Sequence, residues 1–217
     1  INRSEDRFTV EDEGIRFGLV AIKNIGRGFI QAVMRERENG QFTSLYDFCS
    51  RMQGSEMNKR AVENLIRSGA FDFTGAHRSQ LIRVYETMMD SIAAQQRQNL
   101  EGQMDFFSMA AGNSENRSTV KEIDLPYIPE FTAQELMTME KETTGLYLSG
   151  HPMDAYRDAV RKLNAPTIGS ILEDFSQEGG PTQFADGQRI AIAGVITSSK
   201  TKTTKNHSLM AYVVVED

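Results

Sequence analysis

Apolar residues in the first half of the chain recur with the spacing of amphipathic helices. Between residues 14 and 100 this spacing predicts five helices, of which the third begins at an N-cap Ser44 and the fourth at an N-cap Asn58. The fifth helix is the longest, from His77 to about Asn99, and its apolar face repeats every 3.6 residues. The five faces are, in order, Ile15, Leu19, Val20 and Ile22; Phe29, Ile30, Val33 and Met34; Leu45, Phe48, Cys49 and Met52; Ala61, Val62, Leu65 and Ile66; and Leu81, Ile82, Tyr85, Met88, Met89, Ile92 and Ala93.

The pattern changes after residue 100. Residues 101–130 are rich in Gly, Ser, Asn and Glu and predict a linker that contains one apolar island. Helical spacing returns at 133–145, at about 153–163 and at 167–174.

The end of the chain has strand character. Arg189–Thr197 and Leu209–Val215 are rich in strand-forming residues and flank the polar stretch Ser198–Ser208, so they predict a β-hairpin. Two strands alone are only marginally stable. We therefore expect the hairpin to open a larger β-domain.

The turn before the second predicted helix carries a candidate DNA-binding motif, the run Lys23, Asn24, Ile25, Gly26, Arg27 and Gly28. An apolar residue and glycines between two helices are typical of a helix-hairpin-helix element. The glycines allow close approach of a phosphate, and the N-terminus of the following helix attracts an anion. Such contacts address the nucleic-acid backbone, so binding is expected to be independent of sequence. The alternative is a glycine turn between two packed helices that binds nothing.

The apolar island of the linker is the second candidate site. It consists of Gln103, Met104, Asp105, Phe106 and Phe107, and resembles the short peptides that dock on bacterial sliding clamps. Adjacent aromatic residues are unusual in a polar segment unless a partner buries them. The alternative is that these aromatics pack back on the long helix.

Three lysines between the predicted strands form the third candidate site, Lys200, Lys202 and Lys205. Basic loops of OB-folds follow single-stranded nucleic acid. The alternative is a solvated hairpin tip.

These elements predict a mainly α fold: a helix-hairpin-helix domain, a linker, further helices and an incomplete OB-type hairpin. The predicted boundaries are 1–13 for the end of a preceding domain, 14–100 for the helix-hairpin-helix region, 101–130 for the linker, 131–176 for a helical connector and 177–217 for the start of the OB-fold.

Charge supports a local polyanion contact. The 217-residue chain has a net charge of −6, yet residues 14–100 hold twelve Lys and Arg against eight Asp and Glu.

No apolar run is long enough for a membrane helix, and the polar start is unlike a signal peptide. The single Cys49 excludes a disulfide framework and indicates a reducing, cytoplasmic location. Because the chain starts with Ile, we expect it to be a piece of a longer protein.

The sequence predicts no catalytic residue and no metal ligand in this chain. Its three histidines lack metal spacing, and no clustered aspartates suggest a two-metal site. The conspicuous run Thr144–Pro152 is interpreted as a packed turn before the next helix.

Several strings in their order resemble the C-terminal part of the alpha subunits of bacterial replicative DNA polymerase III. The strings are Ile15–Leu19, Asn58–Arg60 with Ser68–Asp72, Gln103–Phe107 and Glu142–Pro152. The resemblance implies a magnesium-dependent polymerase whose catalytic aspartates lie outside this chain, and no cofactor within it. It also implies duplex DNA, single-stranded DNA at the OB-fold, a sliding clamp and other replicase subunits as partners, and no membrane.

Other functions remain open at this point. A repair or recombination protein can combine helix-hairpin-helix and OB elements. An RNA-binding OB module would lack the glycine hairpin and the clamp peptide, and a scaffold protein would not need the basic residues.

Overall fold

The computed structural model describes residues 1–11, 14–54, 57–106 and 124–217, with 98–106 described by their backbone alone. The chain divides into two compact units, Ile1–Ser149 and Gly150–Asp217. The predicted fold class is confirmed: helices predominate, and the described residues add two antiparallel two-stranded sheets.

The first unit is helical apart from one short hairpin. Strands β1 (Thr9–Glu11) and β2 (Gly14–Arg16) pair antiparallel, and a 3₁₀ turn follows at Leu19–Ala21. The helices are α1 (Arg27–Arg37), α2 (Leu45–Arg51), α3 (Lys59–Arg67), α4 (Arg78–Phe106) and α5 (Ala133–Thr144), with a second 3₁₀ turn at Asp72–Thr74.

The predicted helical faces form one apolar core in this unit. Phe48 is fully buried at its centre and meets Phe29, Phe42 and Phe71 edge to face, a geometry that aromatic rings favour. The faces of α1, α2, α3 and α4 all contribute to this cluster. Burial of these faces is the main force that holds the helices together.

The two predicted helix caps are present. The Ser44 hydroxyl accepts a hydrogen bond from the amide of Asp47, and the Asn58 side chain accepts one from the amide of Ala61. Each satisfies an amide that has no partner within the helix.

The prediction of a helix that contains Ile15, Leu19 and Ile22 is wrong. Ile15 lies in β2 and is largely exposed, paired with Val10 across the hairpin. Leu19 and Ile22 are buried, but a single 3₁₀ turn carries them. The spacing of Ile15, Leu19 and Ile22 fits either a short helix or a strand followed by a turn. The pairing of β2 with β1 selects the strand.

The long helix extends further than the sequence indicated. The predicted end was about Asn99, whereas α4 continues to Phe106. Glycine at position 102 weakens a helix by about 1 kcal/mol but does not end it.

The second unit contains two short helices and the second hairpin. A 3₁₀ turn at Pro152–Tyr156 leads into α6 (Arg157–Leu163), and α7 (Ile168–Phe175) follows. Strands β3 (Val195–Thr203) and β4 (Leu209–Glu216) pair antiparallel.

The predicted bounds of the penultimate strand are wrong. Residues 189–194 form no strand, and β3 instead runs through the Ser-Thr-Lys stretch, where the sequence predicts a loop. The apolar β4 pairs with this polar stretch from Val195 to Thr203, with one irregularity between Ile196 and Ser198. Backbone hydrogen bonds hold the two strands together, so a strand can form without an apolar face of its own.

Candidate nucleic-acid interface

The predicted DNA-binding turn forms a tight backbone reversal directly before α1. Asn24 has a φ of 62°, in the left-handed region. Asparagine tolerates this conformation better than most residues, which explains how it can stand where a glycine is common. Gly26 lies at the N-cap of α1 in extended conformation.

The N-terminus of α1 is open to a ligand. Gly26, Arg27 and Gly28 are exposed, and the N-cap has no side chain to accept the first amides. The first turn contains no acidic residue, so the positive end of the helix dipole is not neutralised there. An anion can therefore receive backbone N–H donors from this end, with the Arg27 guanidinium close by.

Ile25 anchors the turn to the protein. Its side chain is partly buried and packs against the core. Phe29 and Ile30, at the start of α1, are almost fully buried. The glycines face solvent, while the apolar residues before and after them hold the turn in place.

Lys23 faces the protein as well as the solvent. Its ammonium donates a hydrogen bond to the carbonyl of Glu142 at 2.7 Å, and its backbone amide donates to the carbonyl of Thr143 at 2.8 Å. Both acceptors belong to the last turn of α5, whose carbonyls have no partner within the helix. A cation at a helix C-terminus is favourable, so Lys23 stabilises the end of α5.

Asn64 is a residue of this site that the sequence reasoning missed. It is 7% exposed, lies on α3, and donates its side-chain amide to the carbonyl of Lys23 at 2.6 Å. Its signal in the sequence is a polar residue inserted into the apolar stripe of α3. A buried polar group needs a hydrogen-bond partner, but the sequence does not show which one.

A buried ion network joins α3, α4 and α5 behind the turn. The Arg78 guanidinium binds both carboxylate oxygens of Asp72, at 2.9 and 2.6 Å, and one oxygen of Glu140 at 3.1 Å. It also donates to the backbone carbonyl of Arg67. Burial by itself lowers the pKa of Arg78, but the hydrogen bonds and charges of Asp72 and Glu140 outweigh it and raise that pKa.

Glu140 also explains the Thr144–Pro152 run. Its second carboxylate oxygen accepts hydrogen bonds from the amides of Leu148 and Ser149, both at 2.8 Å, and from the Ser149 hydroxyl at 3.1 Å. A fully buried carboxylate is tolerated because donors surround it. The first part of the run is thus a turn folded around Glu140, and it holds α5 in place.

The lysines of the second unit occupy a strand and its tip. Lys200 and Lys202 lie in β3, opposite Tyr212 and Met210 of β4, and Lys205 lies in the connection. The ammonium of Lys202 is 5.6 Å from the centre of the Tyr212 ring, and Tyr212 is 55% exposed. Two lysines and an exposed aromatic ring therefore share one face, which the prediction of a basic loop did not anticipate.

Comparison with known proteins identifies the family. Residues 1–81 match the model of the helix-hairpin-helix motif. The chain is 37% identical over 173 residues to DNA polymerase III subunit alpha of Chlamydia pneumoniae, which covers 79% of this chain and 14% of the relative. It is 34% identical to the subunit of Pseudomonas aeruginosa and 36% identical to that of Deinococcus radiodurans, each over the full chain and over 19% and 16% of the relative.

The chain belongs to the DNA polymerase III alpha-subunit family. It spans less than a fifth of the length of the curated relatives named above. Similarity over the whole chain favours this family over a repair protein that shares only the helix-hairpin-helix motif.

The structure describes only part of the clamp-type peptide in this alpha-subunit segment. The backbone of Gln103, Met104, Asp105 and Phe106 forms the last turns of α4, and Phe107 lies outside the described residues. Its assignment remains a prediction.

The described residues of this alpha-subunit segment hold no group of three or more His, Cys, Asp or Glu placed to bind a metal ion. Cys49 is buried, and burial raises the pKa of its thiol to about 12, so it is a poor nucleophile. Within the part of the chain that the structure describes, no helix is long and apolar enough to cross a membrane.

Proposed function

We propose that this chain is the non-catalytic, duplex-DNA-binding part of a bacterial replicative DNA polymerase. The observation that carries the proposal is the turn from Lys23 to Gly28, with its exposed glycines and the open N-terminus of α1. Donors of this kind contact phosphates and not bases, so the chain binds duplex DNA irrespective of sequence.

The complete protein carries out magnesium-dependent nucleotide transfer through residues outside this chain. The alpha-subunit relatives support this part of the proposal. The purified chain alone is then expected to incorporate no nucleotide, and magnesium-dependent incorporation by it would contradict the assignment.

Duplex binding is tested by fluorescence anisotropy with a labelled DNA duplex. Affinity falls steeply between ~50 and ~200 mM salt, since phosphate contacts release counterions. Arg27→Ala lowers affinity and reduces the slope of log K against log salt by about 1, the value for one lost phosphate contact. Arg35→Ala removes the same charge from an exposed position two turns along α1 and keeps the wild-type slope.

Binding that does not depend on salt, or an Arg27→Ala slope equal to that of Arg35→Ala, contradicts the proposed duplex contact. A thermal melt of each variant establishes that the comparison is made between folded proteins.

A second part of the proposal concerns Gln103–Phe107, which binds the sliding clamp and tethers the polymerase to DNA. Changing Gln103, Phe106 and Phe107 together to Ala abolishes clamp binding in a pull-down with purified clamp. Gln96→Ala, an exposed change earlier on α4, retains binding. Equal clamp binding by the two variants argues against the tether.

A third part concerns the face formed by Lys200, Lys202 and Tyr212, which binds single-stranded DNA as part of an OB-fold. Base stacking on an aromatic ring contributes about 1–3 kcal/mol, so Tyr212→Leu weakens single-strand binding about fivefold or more, while Tyr212→Phe retains the ring and most of the affinity. The proposal also includes contacts to other replicase subunits.

A further inference from the structure

We infer that Asn64 and the C-terminal end of α5 are positioning groups for the DNA-contacting turn, and that Lys23 belongs to this support and is not a phosphate ligand. The inference rests on the proposed duplex binding and deepens it. It makes α5, which lies beyond the linker in sequence, part of the DNA-binding apparatus.

Two helices hold the backbone of Lys23. Its amide donates to the Thr143 carbonyl at 2.8 Å, and its carbonyl accepts from the Asn64 side chain at 2.6 Å. The peptide groups on both sides of Lys23 are thus fixed by two different helices. The next residue is Asn24, whose left-handed backbone persists only where its surroundings hold it.

The helices that hold Lys23 are themselves connected by ion pairs and hydrogen bonds. Arg67 of α3 forms an ion pair with Glu142 of α5, next to the carbonyls that Lys23 contacts. Arg78 Nη1 contacts the carbonyl of Arg67 at 3.2 Å and the carboxylate of Glu140 at 3.1 Å. The helices that hold Lys23 are therefore tied to each other, and the buried charges of this network make it costly to separate them.

The Lys23 ammonium also contacts α5. It donates to the Glu142 carbonyl of α5 at 2.7 Å, in a contact at the surface of the protein. Removing the ammonium loosens the junction with α5 without subtracting a phosphate contact. Arg27 differs, because it lies at the first position of α1 and is exposed.

The experiment compares four variants of the full chain by duplex binding over a salt series. Asn64→Leu keeps an apolar side chain at the buried position and removes the donor, and Lys23→Met removes the ammonium from an exposed position. Both are expected to bind about tenfold more weakly, as the loss of a hydrogen bond worth about 1.4 kcal/mol implies, with an unchanged salt slope. Arg27→Ala reduces the slope, and Asn39→Ala serves as a control that removes an exposed carboxamide just beyond the C-terminal end of α1.

Amide hydrogen exchange of the DNA-free proteins provides a second readout. Asn64→Leu is expected to speed exchange at the amide of Lys23 while the amides of α2 keep their protection, a local effect that general destabilisation does not produce. Uniformly faster exchange throughout the first unit overturns the inference, because Asn64 then acts through global stability.

The outcomes distinguish failure of the inference from failure of the proposed duplex binding. Folded Asn64→Leu and Lys23→Met with wild-type affinity overturn the inference and leave duplex binding intact. A Lys23→Met slope reduced as much as that of Arg27→Ala makes Lys23 a phosphate ligand and overturns its role in the support. A wild-type chain that does not bind duplex DNA refutes the proposed function and the inference with it.

Discussion

The two basic sites that the sequence suggests differ in how the fold holds them. The turn at Lys23–Gly28 is fixed from behind by α3, α5 and a buried ion network. The lysines of β3 stand on an exposed two-stranded hairpin, where Lys202 lies near the Tyr212 ring. Buried groups therefore fix the position of the basic residues in the first site, whereas the lysines of β3 lie on a surface hairpin.

The largest expected difference between the units comes from their ion pairs. Arg78→Met leaves the buried Glu140 without its cation, and breaking a buried pair costs about 3–5 kcal/mol of unfolding free energy. Arg157→Met breaks an exposed pair with Asp154 in the second unit and costs about 0–1 kcal/mol. Urea unfolding of both variants checks the contrast, and equal losses would show that the buried network stabilises no more than a surface pair.

The next effect concerns the left-handed residue of the turn. Asn24→Val places a β-branched residue at a φ of 62° and is expected to cost about 1–2 kcal/mol. Asn24→Gly adopts the same backbone without that cost and is expected to retain stability within a few tenths of a kcal/mol. Thermal melts test the pair, and equal destabilisation by Gly and Val argues against a left-handed Asn24.

A carboxylate in each unit makes stability depend on acid. Burial raises the pKa of Glu130 in the first unit, but the amides of Ser79, Phe131 and Arg78 outweigh it and lower that pKa. The pKa of Asp174 is lowered in the same manner by the amides of Thr182, Phe184 and Gln183. A lowered folded-state pKa stabilises the protein above the ordinary carboxyl value of about 4, and this stabilisation is lost as the pH falls through the lowered pKa.

The acid dependence can be assigned to each unit separately. Glu130→Gln is expected to flatten the loss of stability below about pH 4 in the first unit only, and Asp174→Asn in the second unit only. Hydrogen exchange at several pH values resolves the two units. An unchanged acid dependence in both variants means that other carboxylates are responsible.

Local features of this fold could be predicted from the sequence, whereas contacts between distant segments could not. The caps at Ser44 and Asn58 and the apolar face of α3 depend on residues within one helix, and all are present. The contact of Lys23 with α5 joins residues 119 positions apart. Nothing in the composition of either segment specifies that partner.

The errors have the same origin. Ile15 has the spacing of a helix, but pairing with Val10 places it in a strand. The polar residues of β3 look like a loop until β4 provides their hydrogen-bond partners. The role of Glu140 was not anticipated because its donors, Arg78 and the Leu148–Ser149 turn, come from both sides along the chain.

The smallest expected effect on stability is the most informative about the turn. Gly28 is the second residue of α1 and has no positive φ, so its backbone does not require glycine. Gly28→Ala is expected to stabilise the chain by about 0.4–1 kcal/mol, because alanine restricts the unfolded chain. If the exposed glycine is there to admit a phosphate, the added methyl group lowers duplex affinity in the same variant. Gln31→Ala, an exposed change one turn along α1, also favours the helix and is expected to leave affinity unchanged. Paired melting and anisotropy measurements on the two variants decide the matter. A Gly28→Ala protein that is more stable and binds DNA as tightly as the wild type shows that the phosphate does not approach this end of α1.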